Sequence, residues 1–196
     1  MNLQMVAAQK IHLIRHGKTI ANELRLYCGH SDLALSNEGR LELLELKSQG
    51  IYPINADLYF TSGLLRTELT LDTLYGDVKR QSLPRLREFN FGSFELHCHD
   101  DLVNDPDYKK WIDDKTSLVR CPGGENKKEF LERVIAEYKK LAYGNKSKLV
   151  ICHGGVISSI MDFLFPCKKN FYEWQPKPGR GYTLTFLSDK PQYKNI

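Results

Sequence analysis

Arg15-His16-Gly17-Lys18-Thr19 follows an apolar run, Ile11 to Ile14, broken only by His12. An arginine, a histidine and a glycine therefore stand where a strand ends and a loop begins, a common place for ligand groups in α/β proteins. Arginine grips phosphate with a fork of donors. Histidine serves as nucleophile or proton carrier near neutral pH. Glycine lets backbone N–H groups approach an anion. Alone, such a triplet is more often a surface loop. Here a second apolar strand ends the same way, at Leu149-Val150-Ile151-Cys152-His153-Gly154-Gly155. Neighbouring parallel strands deliver their carboxyl ends to one sheet edge, so the two histidines are expected to converge.

Three further places suit phosphate chemistry. Arg66, in Thr61-Ser62-Gly63-Leu64-Leu65-Arg66-Thr67, falls in the first turn of a helix after a strand. A helix N-terminus already favours an anion, and Arg66 adds donors. Glu88 follows an extended segment and precedes Phe89-Asn90-Phe91-Gly92. Cys121-Pro122-Gly123-Gly124-Glu125 turns into the longest helical pattern. Thr19 and Asn22 stand close enough behind His16 to donate to a phosphate oxygen.

The elements that must hold these residues alternate. Lys10 to Ile14 reads as a strand. Ser36 is an expected N-cap for a helix carrying Leu41, Leu44 and Leu46, stopped at Gly50. Leu58 to Thr61 reads as a strand and Leu64 to Tyr75 as a helix ending at Gly76. Gln81 to Leu86 reads as extended, interrupted by Pro84. Glu125 to Tyr143 places Phe130, Val134, Tyr138 and Leu141 on one face, with Gly144 as the stop. Lys148 to Cys152 reads as a strand, Val156 to Phe165 as a helix, and Tyr182 to Leu187 as a last strand. This order implies an α/β fold with a mainly parallel sheet. Phe89 to Gly124 lacks periodicity and reads as an excursion over the site, with a short helix near Asp107 to Asp113.

Composition narrows the function. A chain of 196 residues, 41% hydrophobic and 27% charged, fits a single domain, 1–196, of a globular protein. No apolar stretch is long enough to span a bilayer. Met1 to Gln9 lacks a basic start and a long apolar core, so it makes a poor signal peptide and reads as a tail. The five scattered cysteines (Cys28, Cys98, Cys121, Cys152, Cys167) form no CxxC pair and point to a reducing cytoplasm. Cys152, inside an apolar strand, reads as a core residue. A net charge of +4 without a basic stripe disfavours a nucleic-acid partner and fits a small anionic substrate. The oligomeric state is unreadable.

Taken in order, Arg15-His16-Gly17-x-Thr19, Thr61-Ser62-x-Leu64-x-Arg66-Thr67, Glu88 before Phe91-Gly92, Gly123-Gly124-Glu125 and His153-Gly154-Gly155-Val156-Ile157 resemble the histidine phosphatase superfamily, also called phosphoglycerate-mutase-like, from Lys10 to Leu187. The resemblance implies a three-layer α/β/α sandwich. It implies His16 as nucleophile, and Arg15, Arg66 and His153 as holders of the phosphate oxygens. It implies Glu88 as proton donor to the leaving oxygen and then as base for water. Asn22, Thr19 and the Gly154 backbone would complete the pocket, with no cofactor and no metal. His16 must be neutral to attack, whereas His153 does more good as a cation. Within the family, Tyr27-Cys28-Gly29-His30-Ser31-Asp32-Leu33-Ala34-Leu35-Ser36 and Phe89 to Leu102 are similar to α-ribazole-5′-phosphate phosphatases of cobalamin biosynthesis. That likeness implies a small phosphate monoester as substrate, with Tyr27, Cys28, Gly29, Phe94 and Trp111 near the leaving group. Gly63, Ala34, Phe94 to Leu96 and Asn126 depart from the usual pattern without removing a proposed catalytic group.

Other readings stay open. A broad-specificity phosphatase or a phosphoglycerate mutase would use the same residues. His97-Cys98-His99-Asp100-Asp101 could ligate a metal. A phospho-ligand binding module could share the fold, although it would have no need of both His16 and Glu88.

Overall fold

The computed structural model describes residues 9–186 and 191–196. Strand β1 (Gln9–Arg15) is central, because Ile11, Leu13 and Ile14 are fully buried on both sheet faces. It pairs in parallel with β4 (Lys148–Cys152), every residue of which is buried. Strand β2 (Leu58–Thr61) pairs in parallel with β4 and with the short β3 (Arg80–Ser82). On the other side of β1, β5 (Gly181–Phe186) runs antiparallel and β6 (Pro191–Asn195) closes the edge, giving the order β3-β2-β4-β1-β5-β6. The sheet is mixed and mostly parallel, as the alternation of elements implies.

Period-2 alternation sends side chains to two cores. Ile11, Leu13, Val150 and Cys152 meet α6 (Lys127–Leu141) and α7 (Gly154–Leu164) on one face. Ile14, Leu149 and Ile151 meet Leu71 of α3 (Leu65–Tyr75) on the other, and α2 (Asn37–Ser48) packs on α3. Helices therefore cover both faces of the sheet. The α6 stripe Phe130, Val134, Tyr138 and Leu141 is buried as expected, at about 1.5–3 kcal/mol for each large apolar side chain. Asn126 caps that helix, accepting from Glu129 N–H while the Glu129 carboxylate accepts from Asn126 N–H.

Some expectations need correcting. In α2 the inward residues are Gly39 and Leu43; Leu41 and Leu44 are exposed. The phase is set by Gly39, where a β-carbon would collide with the Lys18 backbone. Leu83 ends the extended stretch early, because Pro84–Leu86 form a 3₁₀ turn after β3. Of the expected tail, residues 1–8 lie outside the described residues, as does Leu187, whereas Gln9 opens β1 as a correction; β6 had no expected counterpart.

The excursion between that turn and α6 carries a 3₁₀ turn (Gly92–Phe94), α4 (His99–Leu102) and α5 (Pro106–Ile112). Six rings knit it together: Tyr27, Phe89, Phe91, Phe94, Tyr108 and Trp111 stand with centroids 5.0–6.0 Å apart. Arg133 of α6 pins the start of the excursion. Its guanidinium donates to the carbonyls of Arg85, Arg87 and Glu88, each at 2.8 Å, and to both carboxylate oxygens of Glu125, at 2.6 and 2.8 Å. All five guanidinium donors are thus engaged, and Glu125 also accepts from Asn90 N–H. The backbone that presents Glu88 is held on both sides.

Candidate active site

β1, β2 and β4 run in parallel, so Arg15-His16, Thr61-Ser62 and Cys152-His153 leave the same sheet edge. His16 N–H donates to the Cys152 carbonyl, and the His16 and His153 ring centroids stand 5.1 Å apart. The two histidines do converge.

His16 is almost fully buried. Its Nδ1 faces the Gly17 carbonyl at 2.7 Å. A carbonyl can only accept, so Nδ1 carries the ring proton and Nε2 keeps a lone pair. Gly17 N–H is anchored by Thr70 Oγ1, and a β-carbon on Gly17 would meet Leu43. Burial, followed by Arg66 and Arg15, pushes the His16 imidazolium well below its ordinary value.

His153 is completely buried, and its Nε2 lies 2.8 Å from Ser62 Oγ. Ser62 Oγ lies 3.2 Å from Thr67 Oγ1, which donates to the Leu64 carbonyl. This chain of hydroxyls serves either protonation state. Ser62 donates to a neutral Nε2, or accepts from a protonated one while donating to Thr67. Burial and then Arg66, His16 and Arg15 push His153 well below its ordinary value, so without a bound anion it is neutral and not the expected cation.

The surrounding donors are notable for what they lack. Arg15 Nε, Arg66 Nε and His153 Nδ1 are buried and make no hydrogen bond within the described residues. Buried donors are normally paired, and leaving one unpaired costs about 1–3 kcal/mol. Arg66 otherwise donates to the carbonyls of Ser31 (2.8 Å) and Gly29 (2.6 Å), and Arg15 to that of Pro176 (2.8 Å). Burial pulls both guanidiniums below their ordinary value. Glu88 accepts from Phe89 N–H and, at 2.9 Å, from Gly155 N–H in the first turn of α7. A β-carbon on Gly155 would collide with that carboxylate.

The remaining expected residues divide. Asn22 and Tyr27 line a cavity of ≈ 620 Å³ that shares Arg15 with the histidine cluster. Thr19 does not line it; it caps α1 (Ile20–Glu23) with its hydroxyl on Asn22 Oδ1. Gly154 opens α7 beneath the Gln175 amide, where a β-carbon would collide. Cys28 turns its thiol toward the Ser31 carbonyl. Gly29 is buried and serves Arg66 through its carbonyl. Phe94 and Trp111, 1% and 7% exposed, are corrections: both belong to the aromatic core of the excursion and do not line this cavity. His97 Nδ1 faces the Glu95 carbonyl and His99 Nδ1 the Tyr108 hydroxyl. Among the described residues no three His, Cys, Asp or Glu side chains gather as a metal-holding group.

Sequence reasoning missed three contributors. Ser62 steadies His153. The Tyr172–Pro178 stretch forms the far cavity wall; its one signal was a proline-rich run without periodicity. Glu95 is the third. Its carboxylate accepts from Gly29, His30 and Ser31 N–H at 2.9–3.1 Å and from Phe91 N–H at 3.2 Å. The same Gly29–Ser31 loop turns two carbonyls onto Arg66. Glu95 thus sets the loop that sets the arginine.

A model of the histidine phosphatase superfamily (branch 1) matches residues 11–196. The chain belongs to the histidine phosphatase superfamily. It is 30% identical to the adenosylcobalamin/alpha-ribazole phosphatase of Escherichia coli over 159 residues, 78% of this chain and 77% of that one. It is 29% identical to the 2,3-bisphosphoglycerate-dependent phosphoglycerate mutase of Bradyrhizobium diazoefficiens over 163 residues, 76% and 77% of the two chains. Its fold matches the alpha-ribazole phosphatase of Shigella flexneri with a TM-score of 0.85 at 25% identity, covering 96% of each chain.

Two outcomes follow from this geometry. Glu95→Gln replaces one acceptor oxygen with a donor facing N–H groups. Inorganic phosphate, measured by calorimetry, should bind the folded variant about tenfold more weakly, roughly the loss of one charged hydrogen bond. Unchanged phosphate affinity would show that Arg66 holds its place without the loop.

The second concerns acid. His12 (lowered to about 4, bonded to Thr183), His16 and His153 are all buried neutral. The unfolded chain protonates them below about pH 6.5, so it binds more protons than the folded state there. Their stability contribution is complete above that pH and falls as the pH drops, by up to about 1.4 kcal/mol per group and pH unit. Tm should fall steadily from pH 7 to 5. Sulfate, which draws a proton onto His153, should raise Tm more at pH 5.5 than at 7.5. A flat profile would mean these imidazoles are already charged or solvated.

Proposed function

We propose that this chain is a phosphomonoesterase that works through a phosphohistidine on His16 Nε2, without a metal. The observation that carries the reading is a buried imidazole with Nδ1 tied to a carbonyl, beside three buried donors that lack partners among the described residues. A phosphate ester's dianionic group satisfies Arg15 Nε, Arg66 Nε and His153 Nδ1 together. Its charge also reverses the electrostatics that keep His153 neutral, so His153 gains a proton as the ester binds. Two guanidiniums and an imidazolium then neutralise the transferring group, a task given to metal ions in other phosphotransferases.

In the first step Nε2 attacks phosphorus, the P–O ester bond breaks, and Glu88 gives its proton to the leaving oxygen. In the second, Glu88 takes a proton from water, the hydroxide attacks phosphorus, and the P–N bond breaks to return free His16. The backbone N–H groups of Phe89 and Gly155 hold the Glu88 carboxylate in place for both transfers.

The proposed substrate is α-ribazole 5′-phosphate, in cobalamin biosynthesis. The relatives carrying that name support it, as does a cavity with Tyr27 and Tyr172 in its walls for a flat ring. The five free cysteines fit a reducing, cytoplasmic compartment. A phosphoglycerate mutase is the second reading, favoured by the mutase relatives at similar identity.

The test is kcat/KM in excess EDTA for α-ribazole 5′-phosphate, 3-phosphoglycerate, phosphoserine and an aryl phosphate. Hydrolysis led by α-ribazole 5′-phosphate is expected; isomerisation of phosphoglycerate without net hydrolysis would favour the mutase. His16→Ala should abolish turnover. Glu88→Ala should slow alkyl esters about 100-fold and aryl phosphates less than tenfold, since good leaving groups need little protonation. Equal losses on both would remove Glu88 from the acid role.

A further inference from the structure

Three polar groups in and beside the excursion form a chain that the phosphoryl transfer does not use. Tyr27 Oη lies 2.7 Å from Tyr108 Oη, and Tyr108 Oη lies 2.8 Å from His99 Nδ1. Tyr108 is 1% exposed, whereas Tyr27 and His99 both line the cavity that shares Arg15 with the histidine cluster. The chain is therefore an arc. It leaves the cavity wall at Tyr27, passes through a buried hydroxyl, and returns to the same wall at His99.

Each member is fixed by its own backbone. Tyr27 N–H donates to the His97 carbonyl at 2.9 Å, and the Tyr27 carbonyl accepts from Leu96 N–H at 2.7 Å. His99 opens α4, where the Asp101 carboxylate accepts from Cys98 N–H at 2.8 Å. Tyr108 stands in the first turn of α5, its N–H on the Asp105 side chain and its ring edge-on to Phe94 at 5.4 Å. The three polar atoms are thus held together and are not brought together by chance contacts of mobile side chains.

Counting protons shows what the arc does. A hydroxyl has one proton to give. Shielded from water, Tyr108 donates to one neighbour and accepts from the other. When His99 Nδ1 is bare, Tyr108 donates to it and accepts from Tyr27. Tyr27 then turns a lone pair to the cavity, and His99 presents Nε2–H. When Nδ1 carries the proton, both bonds reverse, so the Tyr27 proton is free for the cavity and a neutral ring presents a bare Nε2. Burial and the Tyr108 hydroxyl push the Tyr27 phenol above its ordinary value, so Tyr27 keeps its proton in either arrangement. With a neutral imidazole the arc has one end that donates and one that accepts, and the two exchange together.

We propose that Tyr108 and His99 are positioning residues that set whether the Tyr27 hydroxyl donates to the leaving group or accepts from it. The arc suits an uncharged leaving group that carries both a donor and an acceptor, as a nucleoside does. The proposal rests on the phosphomonoesterase reading and adds a control over one wall of its cavity.

The test is a set of substitutions read on α-ribazole 5′-phosphate and adenosine 5′-phosphate, with inorganic phosphate as the ligand that has no leaving group. His99→Ala should raise KM for the better nucleoside ester about threefold to tenfold, the worth of one neutral hydrogen bond, with kcat nearly constant. Phosphate affinity by calorimetry should stay as in the parent. His99→Asn places an amide near the Nδ1 position, able to donate or accept, and should restore the parent KM. The effect of His99→Ala should vanish in a Tyr27→Phe or Tyr108→Phe background, since either change cuts the arc while keeping the ring. The proposal is overturned by an unchanged KM in His99→Ala, by an effect that persists in both backgrounds, by an equal loss of phosphate affinity, or by failure of His99→Asn to rescue. Should neither nucleoside ester turn over, their dissociation constants decide by the same ratios, and absence of binding by both overturns the proposal. Hydrolysis of 4-nitrophenyl phosphate decides the phosphatase reading separately.

Discussion

Burying like charges together is the constraint on which this structure turns. Arg66, His16 and His153 are 1%, 5% and 0% exposed, and Arg15 joins them with a buried Nε. Among the described residues, Glu88 is the carboxylate that favours charge on both Arg15 and Arg66, and it is committed to two backbone N–H groups. Such a cluster repels itself and has lost water. Both imidazoles respond by giving up the proton that would worsen the repulsion. The cluster persists because the surrounding backbone leaves it no alternative arrangement, and it suits a ligand that brings two negative charges.

The supports are indirect and made mostly of backbone. Arg66 is aimed by two carbonyls, whose loop is gathered around the Glu95 carboxylate. Glu88 is aimed by a segment that Arg133 and Glu125 clamp to α6. His153 is aimed by Ser62, itself at the end of β2. Each functional side chain therefore depends on a partner far away in sequence. Gly29, Gly39 and Gly155 mark the close approaches, since a β-carbon at each would strike the Phe89 carbonyl, the Lys18 backbone or the Glu88 carboxylate.

This dependence explains what could be read in advance. Strands β2 and β4 were legible to the residue, because short apolar runs between turn signals have few other uses. The α6 face was legible because its four apolar residues keep strict helical spacing. His16, His153, Arg15, Arg66 and Glu88 stood out because motif order reports which strand ends must meet. The α2 phase was not legible: leucines at 41, 43, 44 and 46 permit several stripes, and a glycine contact chooses among them. Phe94 and Trp111 were misplaced because an aromatic residue in an aperiodic segment can serve as wall or as core. Here six rings close on one another. Glu95 and the Tyr172–Pro178 wall acquire meaning only through loop conformations that sequence spacing does not encode.

The proposed mechanism stands or falls on the bond formed at His16. Radiolabelled phosphate ester should be mixed with the enzyme, quenched within the first turnover, and the protein digested. We predict label that is labile in acid, stable in base, and confined to the peptide containing His16. Full turnover with no label on the protein, or label on another residue, would contradict the mechanism that the buried donors and the tied Nδ1 of His16 support.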